Sequence, residues 1–117
     1  MGLYDNQWFY FNISGEMKTG WLKLGNYWYF FNSSGHMKTG WLQQGKTWYY
    51  FNSSGQMKTG WLKLGNKWYY FDDKGYMKTG GVKIGSYYYY FDSSGVMQTN
   101  KTIDGYYVDS NGRRTKK

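Results

Sequence analysis

Residues 20–39 read GWLKLGNYWYFFNSSGHMKT, and this segment recurs with few changes at residues 40–59 and 60–79. The period is 20 residues in these copies, with no insertion or deletion. Self-similarity at a fixed period is typical of stacked repeats, in which each unit contacts mainly its neighbours. The sequence therefore predicts a solenoid rather than a domain built around a single central core.

The rest of the chain follows the same frame. Residues 1–19 form a partial repeat, and residues 80–99 and 100–117 form divergent repeats, so we predict a single repeat module over residues 1–117. The last repeat has lost about three residues and ends in a basic segment, Arg113-Arg114-Thr115-Lys116-Lys117. Met1 stands where the frame places a Trp, so we expect a segment of a longer protein whose export signal lies outside it.

The first half of each repeat is predicted to be a β-hairpin. Gly25-Asn26 separates two short runs of residues that favour β-strands, which indicates a two-residue type II′ turn. The run from Asn32 to Gly35 predicts a second turn, in which Asn begins the turn and Gly takes the positive-φ position. Glycine every few residues and the lack of a 3.6-residue period argue against helix.

This turn fixes which side chains share a face. It pairs Leu24 with Tyr27 and Trp21 with Phe30, and faces alternate along each strand. One face, the predicted buried one, carries Leu22, Leu24, Tyr29 and Phe31. The other carries Trp21, Lys23, Trp28 and Phe30.

The aromatic content suggests a binding surface. Aromatic residues make up 25% of the chain, with 7 Trp, 15 Tyr and 7 Phe. Aromatic walls around a small gap bind quaternary ammonium groups by cation–π attraction and burial of methyl groups. The same rings could instead stack on sugars, or simply pack neighbouring hairpins together. Spacing alone does not separate these three hypotheses.

The repeat resembles a known family. Its pattern is Gly-Trp-Leu, a Trp seven positions after the first, a Tyr-rich run, and then Gly, Met and Thr-Gly-Trp. It resembles the choline-binding, or cell-wall-binding, repeats of Gram-positive surface proteins and phage lysins, over nearly the whole chain. The resemblance implies an all-β, left-handed solenoid of stacked hairpins with choline held between consecutive hairpins. It also implies a secreted, cell-wall-associated module that attaches a parent protein, such as a wall hydrolase, to phosphocholine on teichoic acids.

By the same resemblance, two Trp of one repeat, an aromatic residue of the next and an apolar Met lid form each cage. Three complete cages are expected, and the ligand is choline or phosphocholine. The first is Trp21, Trp28, Tyr50 and Met57; the second is Trp41, Trp48, Tyr70 and Met77; the third is Trp61, Trp68, Tyr90 and Met97. A fourth would lack a wall because Gly81 replaces Trp, which leaves Tyr88 with Tyr107.

The fifth repeat also looks like the carbohydrate-binding repeats of glucosyltransferases and clostridial toxins, which keeps glucan binding as an alternative. The open aromatic surface of the fifth unit and the short last hairpin make end-to-end homodimerisation through the C-terminal hairpins a further expectation.

Catalytic chemistry is not expected. There is no Cys, His36 occupies a variable repeat position, and the adjacent Asp72 and Asp73 point to opposite sides of the chain. We see no metal cluster, phosphate loop or apolar run long enough to enter a membrane, and predict a binding module without a cofactor. The net charge of +8 favours solubility or attraction to a polyanion, but the repeat fits no familiar nucleic-acid reader.

Overall fold

A computed structural model describes residues 1–4 and 6–115, and over these residues it shows strands and turns but no helix. The strands form six small antiparallel sheets. Lys116 and Lys117 of the basic segment lie outside the described residues. The strands are β1 (Gly2–Tyr4), β2 (Gln7–Phe9), β3 (Gly20–Leu24), β4 (Tyr27–Phe31), β5 (Gly40–Gln44), β6 (Thr47–Phe51), β7 (Gly60–Leu64), β8 (Lys67–Phe71), β9 (Gly80–Ile84), β10 (Tyr87–Phe91), β11 (Lys101–Ile103), β12 (Tyr106–Val108) and β13 (Arg114–Thr115).

The predicted hairpin register is confirmed. In the β3–β4 pair, Leu24 lies opposite Tyr27 and Trp21 lies opposite Phe30. Gly25 has a φ of 63°, whereas the φ of its neighbour Asn26 is not positive. Positive φ at only the first of the two turn residues is the pattern of a type II′ turn. The last hairpin turns differently, because Asp104 and Gly105 both have positive φ, which is the type I′ pattern.

The second turn of the repeat is stabilised by hydrogen bonds to the side chain of its first residue, Asn32. The Asn32 Oδ1 atom accepts hydrogen bonds from the backbone N–H groups of Ser34 at 2.9 Å and His36 at 3.0 Å. Gly35 has a φ of 81°, and an added Cβ there would collide with the Met17 side chain. Glycine is therefore favoured at this position by its positive φ, and any larger residue would also have to displace the Met17 side chain.

The predicted buried face is fully buried only at its last residue, and in residues 20–31 its other three side chains are half-buried. The Phe that ends the second strand of the hairpin is the most enclosed side chain of its repeat: Phe31, Phe51 and Phe71 are each 0% exposed. Trp28, on the other face, is 40% exposed. The strongest apolar burial thus comes from one aromatic residue per repeat, and the Trp-bearing face stays partly open to solvent.

Consecutive hairpins are joined by a repeated backbone contact. The Met57 N–H donates to the Trp28 carbonyl, and the Met97 N–H to the Trp68 carbonyl, each at 2.9 Å. Trp21 packs on Tyr49 and Phe51 of the following hairpin, with ring centroids 4.9 and 5.8 Å apart. The Trp-bearing face of one hairpin therefore meets the Tyr- and Phe-bearing face of the next.

The chain divides into two compact units, Met1–Lys58 and Thr59–Lys117. Each unit is a stack of β-hairpins on the 20-residue frame. The predicted fold class, an all-β solenoid of stacked hairpins, is confirmed.

Candidate ligand-binding sites

The first candidate site lies within Met1–Lys58. The rings of Trp21 and Trp28 meet nearly at right angles, with centroids 6.3 Å apart and planes at 80°. Tyr49 of the next hairpin contacts Trp21 edge-on, and Met57 is fixed beside Trp28 by its backbone hydrogen bond. The structure thus brings together both Trp and the Met that the sequence predicts for the first cage.

The third candidate site lies within Thr59–Lys117 and surrounds a cavity of about 600 Å³. The Trp61 and Trp68 rings are 6.0 Å apart at 86°, and the Tyr89 ring lies 4.9 Å from Trp61. Met97, the predicted lid, lines the same cavity. Three rings from two hairpins and one thioether therefore form the apolar part of the lining of this cavity.

The remaining lining of this cavity is polar and basic. Its lining is completed by Lys63, Asn66, Thr99, Ser110, Asn111 and Arg113. The hydrogen bond between the Arg113 guanidinium and the Tyr89 side chain is the main cause of a raised pKa of Arg113. The guanidinium is charged at any ordinary pH, and its Cζ atom lies 4.6 Å from the centroid of the Tyr87 ring.

The structure differs from the sequence prediction at the third wall. The predicted residues were Tyr50 and Tyr90, but Tyr49 and Tyr89 are the tyrosines that contact the Trp of the preceding hairpin. Tyr50 packs instead on Trp41 of its own hairpin at 5.1 Å, and Tyr90 lies opposite Gly81. The reason is the stacking direction: the sequence prediction assumed that equivalent faces meet, whereas opposite faces do.

The parts of the second predicted cage lie in different units. In the first unit, Trp41 and Trp48 form the same right-angled pair, 6.0 Å apart at 85°. In the second unit, Tyr70 packs on Trp61 at 5.1 Å, and Met77 forms a β-bridge with Phe71. The ligand-binding roles of these four residues stay predictions.

The fourth position is filled by the protein itself. Arg114 aligns with the Met of the other repeats, since it follows Gly112 by two residues as Met97 follows Gly95. Its guanidinium lies 4.2 Å from the centroid of Tyr88 and 4.1 Å from that of Tyr106. Tyr106, rather than the predicted Tyr107, is therefore the ring that contacts Arg114 together with Tyr88. An internal cation thus occupies the space between the aromatic walls.

The remaining candidate residues have structural environments. His36 lies edge-on to the Phe9 ring at 5.2 Å, and the Asp72 Oδ1 atom accepts two backbone hydrogen bonds in its turn. Within the described ranges we find no cluster of three His, Cys, Asp or Glu side chains suited to a metal. The same residues contain no helix of the length and hydropathy needed to cross a membrane.

Comparison with known sequences identifies the family. The sequence profile of the choline-binding repeat matches residues 3–39, 18–59 and 58–101, which together cover most of the chain. This chain belongs to the choline-binding repeat family. A comparison of the sequence with curated proteins finds no match.

Solved structures of choline-binding proteins are similar to this chain. Choline binding protein F from Streptococcus pneumoniae is 43% identical over 98% of this chain, with a TM-score of 0.95, and the chain spans 39% of that protein. The same protein has been solved in the presence of a peptidoglycan analogue, a tetrasaccharide-pentapeptide. The modular autolysin LytC from Streptococcus pneumoniae is 29% identical over 94% of this chain, with a TM-score of 0.75 and 26% of that chain covered.

Proposed function

We propose that this chain is a choline-binding module that takes trimethylammonium groups into aromatic cages between consecutive hairpins. The observation that carries the proposal is the cavity walled by Trp61, Trp68, Tyr89 and Met97. The cluster of Trp21, Trp28 and Tyr49 repeats its ring arrangement in the first unit, with the Trp–Tyr centroid distance at 4.9 Å in both.

The chemistry of the walls favours a quaternary ammonium over other cations. Ring faces attract a positive charge, and their apolar surface accepts methyl groups. A primary ammonium, by contrast, is strongly hydrated and would lose that water in the cage. Choline therefore fits these walls better than a free Lys or an inorganic cation.

We further propose that the ligand is presented on a polymer at the cell surface, as phosphocholine on wall teichoic acid. The chain spans about two fifths of choline binding protein F, so a parent protein would supply any other activity. The likeness to part of a modular autolysin supports a role as the attachment module of a secreted wall protein. In this proposal the module itself is not an enzyme. Homodimerisation through the C-terminal hairpins stays a prediction.

The proposal predicts that choline stabilises the folded chain. A ligand of the native state stabilises by about 2.7 kcal/mol per site at 100 times its Kd. We expect millimolar choline to raise the Tm in a dose-dependent way, measured by near-UV circular dichroism. The uncharged isostere 3,3-dimethylbutanol should raise it much less, because it lacks the charge that cation–π attraction requires.

Glucan oligomers and the peptidoglycan tetrasaccharide serve as the competing ligands. Stabilisation by a glucan without stabilisation by choline would replace the proposal with carbohydrate binding. If neither ligand changes the Tm, the aromatic clusters serve only to pack the hairpins. Equal effects of choline and 3,3-dimethylbutanol would contradict the cage chemistry.

A further inference from the structure

The basic residues that line the cavity in the second unit form a candidate anion site. We infer that Lys63 and Arg113 bind the phosphate of a phosphocholine group whose trimethylammonium lies against Trp61 and Trp68. This inference rests on the proposed function and adds the residues of one site that contact the phosphate. The aromatic and the basic lining of this cavity match the two charges of such a ligand.

Arg113 lines the cavity and packs on an aromatic ring. Its Cζ atom lies 4.6 Å from the centroid of the Tyr87 ring. This cation–π contact orients the guanidinium. A guanidinium that is already oriented loses less side-chain entropy when it binds an anion, and its planar fork matches phosphate oxygens.

Lys63 supplies a second cation to the same cavity. Its Nζ atom lies 5.9 Å from the centroid of the Trp68 ring. Ser110 and Asn111, in the turn that precedes Arg113, add side chains that can donate hydrogen bonds to phosphate. The lining of this cavity therefore offers two positive charges and neutral donors.

The charge balance argues against a ligand that is only a cation. Among the described residues that line this cavity, two are basic and none is Asp or Glu. Free choline against the aromatic rings would be repelled by Lys63 and Arg113; Asp109 interacts with Arg113 and offsets part of this repulsion, but it does not line the cavity. A phosphate attached to the choline turns both repulsions into attractions.

Arg113 makes the basic lining specific to this site because it belongs to the divergent last repeat. At the same repeat position the chain has Glu16, His36, Gln56, Tyr76 and Val96. We therefore expect the third site to distinguish phosphocholine from choline more strongly than the first site does.

The test measures each site separately with the full chain. Methionine methyl groups are labelled with ¹³C, and Met97 reports the third site while Met57 reports the first; single Met→Leu variants assign the signals. Choline, phosphocholine and glycerophosphocholine, a diester, are titrated at low and at high salt. We expect the ratio of phosphocholine to choline affinity at Met97 to exceed that at Met57 by roughly fivefold to tenfold at low salt, and to shrink as salt rises.

The variants are taken from the chain's own repeats. Arg113→Gln copies Gln56 and Lys63→Gln copies Gln43, so each places a residue that the same repeat position already holds elsewhere. Together they should abolish the preference at Met97 and strengthen choline binding there. Lys46→Gln removes the same charge from an exposed turn residue outside this cavity and should leave the preference intact.

Two failures have different signatures. If choline moves neither Met97 nor Met57, the proposed function fails and the inference with it. If choline moves both signals but the preference is equal at the two sites, or survives Arg113→Gln with Lys63→Gln, the phosphate subsite is wrong while choline binding stands. Loss of the preference in Lys46→Gln would assign it to overall charge and would also overturn the inference.

Discussion

The third wall of each cage shows how one residue's register decides its role. Tyr89 and Tyr90 are neighbours in β10, so their side chains point to opposite faces. Tyr89 is 8% exposed and walls the cavity, whereas Tyr90 lies over Gly81 in its own hairpin. A shift of one position separates a residue that can touch a ligand from one that supports the hairpin.

Trp68 should be required for the third site. It is 38% exposed, so Trp68→Leu keeps apolar bulk and should cost about 2 kcal/mol of folding stability, less than a buried aromatic residue would. The variant loses the ring face, so we expect it to lose one choline site while the other sites remain. Isothermal titration calorimetry measures the number of sites.

Tyr88→Leu is the matched control because Tyr88 holds the repeat position of Trp68 in the next repeat. At that position Arg114 fills the space between the rings, so no open cage exists there. It should lower the Tm and leave the number of choline sites unchanged. A Trp68→Leu chain with a full set of sites, or a Tyr88→Leu chain with one fewer, would contradict this assignment.

At the scale of the hairpin, the sequence was sufficient for local structure. Gly25, Asn32 and Gly35 specify the turns by their own conformational preferences, and a two-residue turn then dictates the register. Periodicity shows which residues share a face, but it does not show which face of the next hairpin they meet. That choice depends on packing between repeats, which is why Tyr49 and Tyr89 were missed.

Arg114 was missed for a different reason. Because the last repeat is shorter than the others, its basic segment looks like a tail outside the repeat frame. Its place in the frame becomes visible only when the turn from Asp109 to Gly112 is aligned with the turn from Asp92 to Gly95. That alignment places Arg114 at the Met position. The signal was present in the spacing after the last glycine rather than in the residue type.

Rebuilding the fourth cage is the prediction that belongs to this element. The variant Gly81→Trp, Tyr88→Trp, Arg114→Met supplies both Trp walls and replaces the internal cation with the lid of the other repeats. A Cβ at Gly81 would lie 3.0 Å from Tyr90 Cε1, so Tyr90 must shift slightly, but Trp41 beside Tyr50 shows that the hairpin accepts this pair. We expect one additional choline site by calorimetry.

Arg114→Met alone provides the control, since it removes the cation without adding the missing Trp wall. It should add no site and should lower stability, because the contacts with Tyr88 and Tyr106 are lost. A folded triple variant with an unchanged number of sites would show that the internal arginine is not what closes the fourth position.

At the scale of the whole chain, the proposed function predicts that several weak sites act together on one polymer. Each cation–π contact contributes about 0.5–2 kcal/mol, so a single cage binds weakly. When one site is engaged, a second binds intramolecularly, and avidity can exceed the single-site affinity by about 10²–10⁴. The two units each carry a Trp-pair cluster, so the chain is suited to a surface that presents many choline groups.

Retention on choline-bearing resins of graded ligand density tests this directly. The unmodified chain should be retained strongly at high density and lose retention steeply as the density falls, because simultaneous engagement of two sites then fails. Trp68→Leu should bind more weakly at high density and show a shallower dependence, whereas Tyr88→Leu should follow the unmodified chain. Free choline should elute all three, since it competes at each cage. Retention that persists in saturating choline but is released by salt would mean that the net charge of +8, not the cages, holds the protein on the resin.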